Sequence, residues 1–470
     1  MCPAPYQPSA EWSAEVQADV AAIVKGTHRR ELPRAKLCRL TAHIANLVGH
    51  EPDDLAASVP TKWEKYDDFV LFPENAFQGE AWQVFLEDRL PVGGDGPSGS
   101  ERTVQVGEVM FGAMVQVLRA THFAAKSSIP TSDVMRRPEI QPLYGNWGRW
   151  SVATAERGGG DPTDLSVHDN PAIHPDNTSG LPSDDCPRPV TVVAPDFDAT
   201  YWAQTKQNGL TCTWAPIHTM FCAGNISEKL RVAQSPLYRA TDQTVVDLYA
   251  GVGYFTLPYL VHAGARTVHA CEMNPWSVEG LRRGAVANRL SYRISGMHAP
   301  IYKDIQPRHH RTTAAEGEAR LIIYPGNNAD HVAHWAGVAD HVNLGLLPSS
   351  TAGWPVAVRA LRPEGGWLHV HVNRNVDELD AWLVWMQGRF LKLLRRYRSG
   401  ARSGGGDQRS SWDVRVAHVE RIKSYAPRVY HYVIDVECRP NGEITLSGSG
   451  SNSDGDSSMI SDDEDFVADV

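Results

Sequence analysis

Two acids and two glycines form the most chemically specific pattern in this chain. They are Asp247, Gly251, Gly253 and Glu272, set within Val-Val-Asp-Leu-Tyr-Ala-Gly-Val-Gly-Tyr-Phe-Thr (245–256) and Val-His-Ala-Cys-Glu (268–272). Glycines at that spacing let the backbone turn tightly and approach a ligand, and an acid after the next strand can accept hydrogen bonds from ribose hydroxyls. A dinucleotide fingerprint needs a third glycine at position 256, where this chain has Thr256. An acid on the first strand with only two glycines fits a nucleoside without a pyrophosphate. S-adenosylmethionine is the commonest such ligand.

The elements around this pattern predict a doubly wound α/β sheet. Strands are expected at 244–248, 267–272, 320–324, 340–346 and 366–372, with helices near 275–289, 351–361 and 376–397. A closing strand pair at 412–422 and 428–437 suits an antiparallel edge on an otherwise parallel sheet. Right-handed crossovers then bring the loops after the strands to one edge, where such sheets bind ligands. The expected organisation is an N-terminal α+β region (1–155), a flexible insertion (156–188), a connecting hairpin and donor segment (189–242), the catalytic sheet (243–440) and a disordered acidic tail (441–470).

Within the first region, helical spacing runs over 11–48 with a break near Pro33, and an apolar strand ends Lys-Trp-Glu-Lys-Tyr-Asp-Asp-Phe-Val-Leu-Phe-Pro (62–73). Residues 91–101 are rich in Gly, Pro and Ser and read as a loop. Asn208-Gly209 between two alternating runs is the strongest short hairpin signal in the chain.

The chain of 470 residues, 42% of them hydrophobic, can build more than one core. Its formal charge of −10 is concentrated at the end: residues 453–470 hold seven acids and no Lys or Arg, so the remainder is nearly balanced. The seven cysteines are scattered without a Cys-x-x-Cys pair, which disfavours zinc and a disulfide framework. No apolar run reaches membrane-spanning length and no leader precedes the first domain, so a cytoplasmic protein is expected.

The ordered motifs 62–69, Arg-Pro-Glu-Ile-Gln-Pro-Leu-Tyr-Gly-Asn-Trp-Gly (137–148), Gln-Asn-Gly (207–209), Trp-Ala-Pro (214–216), Met-Phe-Cys-Ala-Gly-Asn-Ile-Ser-Glu-Lys-Leu-Arg (220–231), 247–254, Val-Asn-Leu-Gly-Leu-Leu-Pro-Ser-Ser (342–350) and Lys-Ser-Tyr-Ala-Pro (423–427) resemble the tRNA wybutosine-synthesising protein 2 family. The resemblance covers about residues 60–438 apart from the insertion. It implies a class I methyltransferase-like fold, related to tRNA guanosine-N1 methyltransferases. It also implies transfer of the 3-amino-3-carboxypropyl group of S-adenosylmethionine, without a metal, to a tricyclic guanosine derivative. That base lies beside the anticodon of phenylalanine tRNA.

Carried over residue by residue, Cys222, Lys229, Glu272, Asn327 and Asn328 are the donor contacts, with Lys229 meeting the methionyl carboxylate. Cys222 and Asn327 stand where family members usually have Ser and Asp. Gly224 stands where the methylating relatives place an Arg. Asn343, Leu344 and Pro348 would hold the target base in the loop after the fourth strand. The sequence designates no general base, and a structural role is expected of His341. RNA contact falls to Lys25, Arg29, Arg30, Arg34, Lys36 and Arg39, to Arg136 and Arg137, and to Arg389, Lys392, Arg395, Arg396, Arg398 and Arg402. The alternatives are a guanosine-N1 methyltransferase and a non-catalytic RNA-binding subunit.

Overall fold

The computed structural model describes residues 14–25, 32–95, 101–127, 138, 140–148, 197–295, 319–398 and 412–441. The insertion at 156–188 and all of the 441–470 tail but Asn441 lie outside them, as do Arg29, Arg30, Arg136, Arg137 and Arg402.

The N-terminal part carries helices α1 (Ala14–Lys25), α2 (Pro33–Val48), α3 (Pro52–Ala57), α4 (Glu80–Glu87) and α5 (Val106–Leu118). Its sheet contains β1 (Glu64–Tyr66), β2 (Phe69–Phe72), β5 (His122–Ala125) and β6 (Gln141–Tyr144), in that spatial order. Pro33 opens α2, where a missing N–H costs nothing, which explains the break between the first two helices. Leu37, Leu40 and Ile44, one helical turn apart, are fully buried against Met110 and Met114 of α5.

Residues 91–101 do not form the simple loop expected. Arg89–Asp95 (β3) and Glu101–Gln105 (β4) pair antiparallel, with Leu90 opposite Val104. Both side chains are buried in the N-terminal core, and that apolar pair outweighs the turn-forming composition between them.

A hairpin follows, β7 (Ala203–Gln207) and β8 (Leu210–Trp214), turned by Asn208 at φ 50° and Gly209 at φ 81°. Both turn residues are left-handed, as a two-residue type I′ turn requires. Beyond it come α6 (Ile226–Gln234), β9 (Thr244–Asp247), α7 (Thr256–Val261), β10 (Thr267–Glu272), α8 (Pro275–Ala287), β11 (Tyr292–Ile294), β12 (Leu321–Pro325), α9 (Val332–Trp335), β13 (His341–Leu344), α10 (Trp354–Ala360), β14 (Gly366–Asn375), α11 (Leu379–Arg398), β15 (Trp412–Ala426) and β16 (Val429–Pro440).

The large sheet has the order β11-β12-β10-β9-β13-β14-β16-β15. β11 through β14 run parallel, and β16 and β15 add antiparallel. Chain order reverses on either side of β9, so the crevice lies at the C-terminal ends of β9 and β13. One sheet face is covered by α10 and α11. Trp382, Met386, Phe390 and Leu394 recur at helical spacing and are buried there, each contributing about 1.5–3 kcal/mol. The other face is covered by α7, α8 and the Leu210 and Cys212 side chains of the hairpin.

An aromatic cluster joins the N-terminal sheet to the crevice. Tyr66 meets the edge of Trp214 at 5.1 Å, Trp214 stacks on Phe221 at 4.4 Å, and Phe221 stacks on Tyr254 at 5.7 Å.

Candidate donor-binding site

The turn after β9 folds over the ends of β9 and β10. Gly251 has φ 54° and Gly253 has φ 96°, a region that side chains beyond glycine rarely adopt. A Cβ on Gly253 would also lie 2.8 Å from Leu281 Cδ1, so helix α8 packs directly on this turn.

Asp247 supports the turn from beneath. It is fully buried; its Oδ2 accepts from Thr256 Oγ1 at 2.7 Å and its Oδ1 from Asn343 Nδ2 at 2.9 Å. Burial raises its pKa, opposed by these bonds and by the N–H groups of Tyr249 and Thr256. Thr256 thus ties the start of α7 to the first strand at the position where a dinucleotide site would have glycine.

Glu272, at the end of β10, is half-buried. Its Oε2 accepts from the Gly251 N–H and its Oε1 from the Asn274 N–H, both at 2.8 Å. Desolvation raises its pKa and the backbone N–H groups oppose that shift. The carboxylate keeps acceptor capacity for a ligand hydroxyl.

The segment 220–229 closes the crevice from the hairpin side. Tyr254 of the glycine turn donates to the Met220 carbonyl at 2.7 Å and accepts from the Cys222 N–H at 3.1 Å, which locks the segment to the turn. Lys229 follows on α6 and is only 3% exposed. Its Nζ donates to Gln207 Oε1 at 2.8 Å and lies 4.8 Å and 4.9 Å from the Phe221 and Tyr254 ring centroids. Burial lowers its pKa, and no carboxylate among the described residues pairs with it. An ammonium held by a neutral amide and two rings is a ready partner for an anionic ligand group.

α6 itself is pinned by charge. Glu228 and Arg231 pair with each other, Arg231 reaches Asp435 on β16, and Tyr238 donates to Glu228 at 2.8 Å. Asp435 also accepts from His369, at 2.7 Å. His341 continues this chain: its ring nitrogens meet His369 at 3.0 Å and Gln243 at 2.9 Å. Burial pushes its pKa down to about 3, and it begins β13, at the edge away from the glycine turn. It is a structural residue.

On the opposite side of the crevice, Asn328 is buried and donates to the Leu248 carbonyl at 3.3 Å. Asn327 is exposed and accepts from the Ala329 N–H at 3.0 Å as an N-cap. Asp and Asn cap equally well, which accounts structurally for either residue at this position.

Residues 203–316 match the TRM5/TYW2 methyltransferase domain. The chain is 29% identical over 419 residues to the Schizosaccharomyces pombe protein named tRNA wybutosine-synthesizing protein 2, covering 88% of this chain and 80% of that one. It is 33% identical over 341 residues to the Saccharomyces cerevisiae protein of the same name, covering 67% of this chain and 60% of that one. A solved transferase structure from Pyrococcus horikoshii shares the fold, with TM-score 0.50, 16% identity and coverage of 86% of this chain and all of that one. Over most of its length the chain is similar to proteins named tRNA wybutosine-synthesizing protein 2.

Two of the positions expected from this family to hold the target base sit differently. Asn343 and Leu344 are inside β13, not in the loop after it, and are buried; Asn343 is committed to Asp247. The strand ends at Leu344 because β14 pairs with it that far, Leu344 opposite Val370. The loop proper is 345–350, where the Pro348 carbonyl accepts from the Asn373 N–H at 2.9 Å.

The cations of α11 are likewise redistributed. The helix starts near the crevice edge and runs away from it, placing Arg395 and Arg396 roughly 25 Å along its axis. Arg398 is no free cation: it donates to the Val358 and Arg359 carbonyls at 3.2 Å, closing the last turn of α10.

Gln207 and Tyr254 are site residues to which the sequence attached no role, although both stand in the quoted motifs. Lys423 is a third. Its Nζ lies 3.4 Å from Cys222 Sγ, which joins the 423–427 motif to the donor segment.

Proposed function

We propose that this chain transfers the 3-amino-3-carboxypropyl group of S-adenosylmethionine to 4-demethylwyosine, the tricyclic base beside the anticodon of phenylalanine tRNA. Methylthioadenosine is released. The names of the yeast relatives support this reading. The observation that carries it is Lys229, a buried ammonium beside the glycine turn without an acidic partner among the described residues.

The donor brings a sulfonium whose three attached carbons are all electrophilic. The chain's own residues select among them by orientation. Glu272 accepts from the ribose hydroxyls with its remaining acceptor capacity, Cys222 and Asn328 flank the nucleoside, and Lys229 holds the methionyl carboxylate. That anchor sets which carbon faces the acceptor. A carbon–carbon bond forms at the base, the carbon–sulfur pair leaves with the neutral thioether, and the proton of the acceptor carbon passes to water. Asp247, Gly251 and Gly253 shape the turn.

Pro348 and the 345–350 loop border the acceptor side. The N-terminal region (1–155) supplies RNA contact, with 189–242 as the donor segment and 243–440 as the catalytic unit. No described helix is long and apolar enough to cross a membrane. A cytoplasmic setting is part of the proposal.

Incubation with donor labelled in its aminobutyryl carbons and tRNA bearing the tricyclic base tests the reading. Label is expected in the RNA. Label transfer only from a donor labelled in its methyl group would establish methylation instead.

A further inference from the structure

Lys423 stands on β15, the outermost strand at the antiparallel end of the large sheet, yet its ammonium reaches the donor segment. The route is narrow. A methyl group on Gly224 would lie 3.2 Å from Lys423 Nζ and 3.5 Å from its Cδ, so the absence of a side chain at 224 leaves the space in which this lysine ends.

Two ammonium groups therefore converge on one short stretch of chain. Lys229 lies over the Phe221 ring, and Lys423 meets the neighbouring Cys222. Neither is paired with a carboxylate among the described residues. The titratable group beside Lys423 across the β15–β16 pair is His431, in register with it. That imidazole is driven down to about 4 by burial and by the Lys423 charge, so it adds no negative charge. A cation without a carboxylate partner is a ready contact for an anionic ligand group. A nucleoside with a sulfonium and an α-ammonium offers a single anionic group, its carboxylate.

We propose that Lys423 is a second binding residue for the carboxylate of the donor's amino-acid arm, reaching it through the gap at Gly224. With Lys229 it selects nucleosides that carry that carboxylate. The inference rests on S-adenosylmethionine being the donor, and it goes beyond that reading by assigning the 423–427 motif to donor selection.

The test is calorimetry on the full chain with S-adenosylmethionine and with methylthioadenosine, which lacks the carboxylate. Lys423→Ala is expected to weaken S-adenosylmethionine binding about tenfold while leaving methylthioadenosine binding unchanged. Lys423→Arg should retain most of the preference. Gly224→Ala, which only nudges the ammonium, should lose about threefold, a fraction of the charged contact. Equal weakening of both ligands by Lys423→Ala would show a merely structural lysine and overturn the proposal. So would unchanged donor binding with a selective loss of tRNA affinity, which would assign the ammonium to a phosphate. A wild-type chain that prefers S-adenosylmethionine over methylthioadenosine, loses that preference on Lys423→Ala, and transfers nothing to tRNA would uphold this inference while removing the proposed reaction.

Discussion

Lys229 Nζ donates to the side-chain oxygen of Gln207 at 2.8 Å, so a buried ammonium is held by a neutral amide and, among the described residues, by no carboxylate. The ligand-free protein keeps a desolvated charge at the point where the donor's anion would arrive. Replacing Lys229 with Met should therefore leave the melting temperature unchanged or raised, since an uncompensated buried charge is removed. Transfer should fall by about 10- to 1000-fold. Thermal melts and turnover on intact tRNA check the two halves. A destabilised variant with full turnover would contradict both.

Asn343→Ala strips Asp247 of its 2.9 Å bond from Nδ2 while leaving the carboxylate buried. The expected cost is about 1–3 kcal/mol of stability, measured by chemical denaturation. Donor binding should weaken as well, because the other Asp247 oxygen holds Thr256 and hence the start of α7.

Tyr254→Phe removes the hydroxyl that bonds both Met220 and Cys222. The segment carrying Cys222 then loses its tie to the glycine turn. Donor affinity should drop by roughly tenfold, the equivalent of one to two hydrogen bonds, with little change in fold. Calorimetry showing wild-type affinity would mean that the aromatic stack alone holds the segment.

Stability should fall as pH drops from 7 to 4. His431 and His341 are held neutral by burial, with pKa values pushed down to about 4 and about 3. In the unfolded chain they titrate near 6.5, so the unfolded state binds more protons throughout that window. Each contributes a loss on the order of 3 kcal/mol by pH 4. Asp435 acts lower still: burial raises its pKa, but the bonds from His369 and Arg231 win and hold it below the usual carboxylate range, so its contribution is lost only in strong acid. Urea midpoints across the range measure the slope, and His341→Gln should flatten it.

The catalytic sheet was legible because period, punctuation and function agree there: buried apolar strands, glycines at the turn and acids at the strand ends. The fourth strand stops at Leu344, two residues before its expected C-terminal end, although Gly345 and Leu346 continue an apolar run. Only pairing with β14, ended at Leu344 opposite Val370, decides where the strand stops. The β3–β4 hairpin was hidden by its Gly- and Pro-rich tip, since its two buried anchors, Leu90 and Val104, are far apart in sequence. Lys229 was legible as a motif residue, but its isolation from acids was not, because burial arises from Phe221, Tyr254 and Gln207 converging from three elements. Lys423 lies 201 residues from Cys222, a separation that no local pattern bridges.

The most direct test of the account is the identity of the thioether left behind when the purified chain consumes S-adenosylmethionine in the presence of tRNA bearing 4-demethylwyosine. Separation of the small molecules by liquid chromatography and mass spectrometry reads it without reference to the RNA product. Methylthioadenosine accumulating in step with donor loss is the predicted result. S-adenosylhomocysteine in its place would mean that the methyl group is the one transferred, and would contradict the claim that Lys229 aims the amino-acid arm at the base.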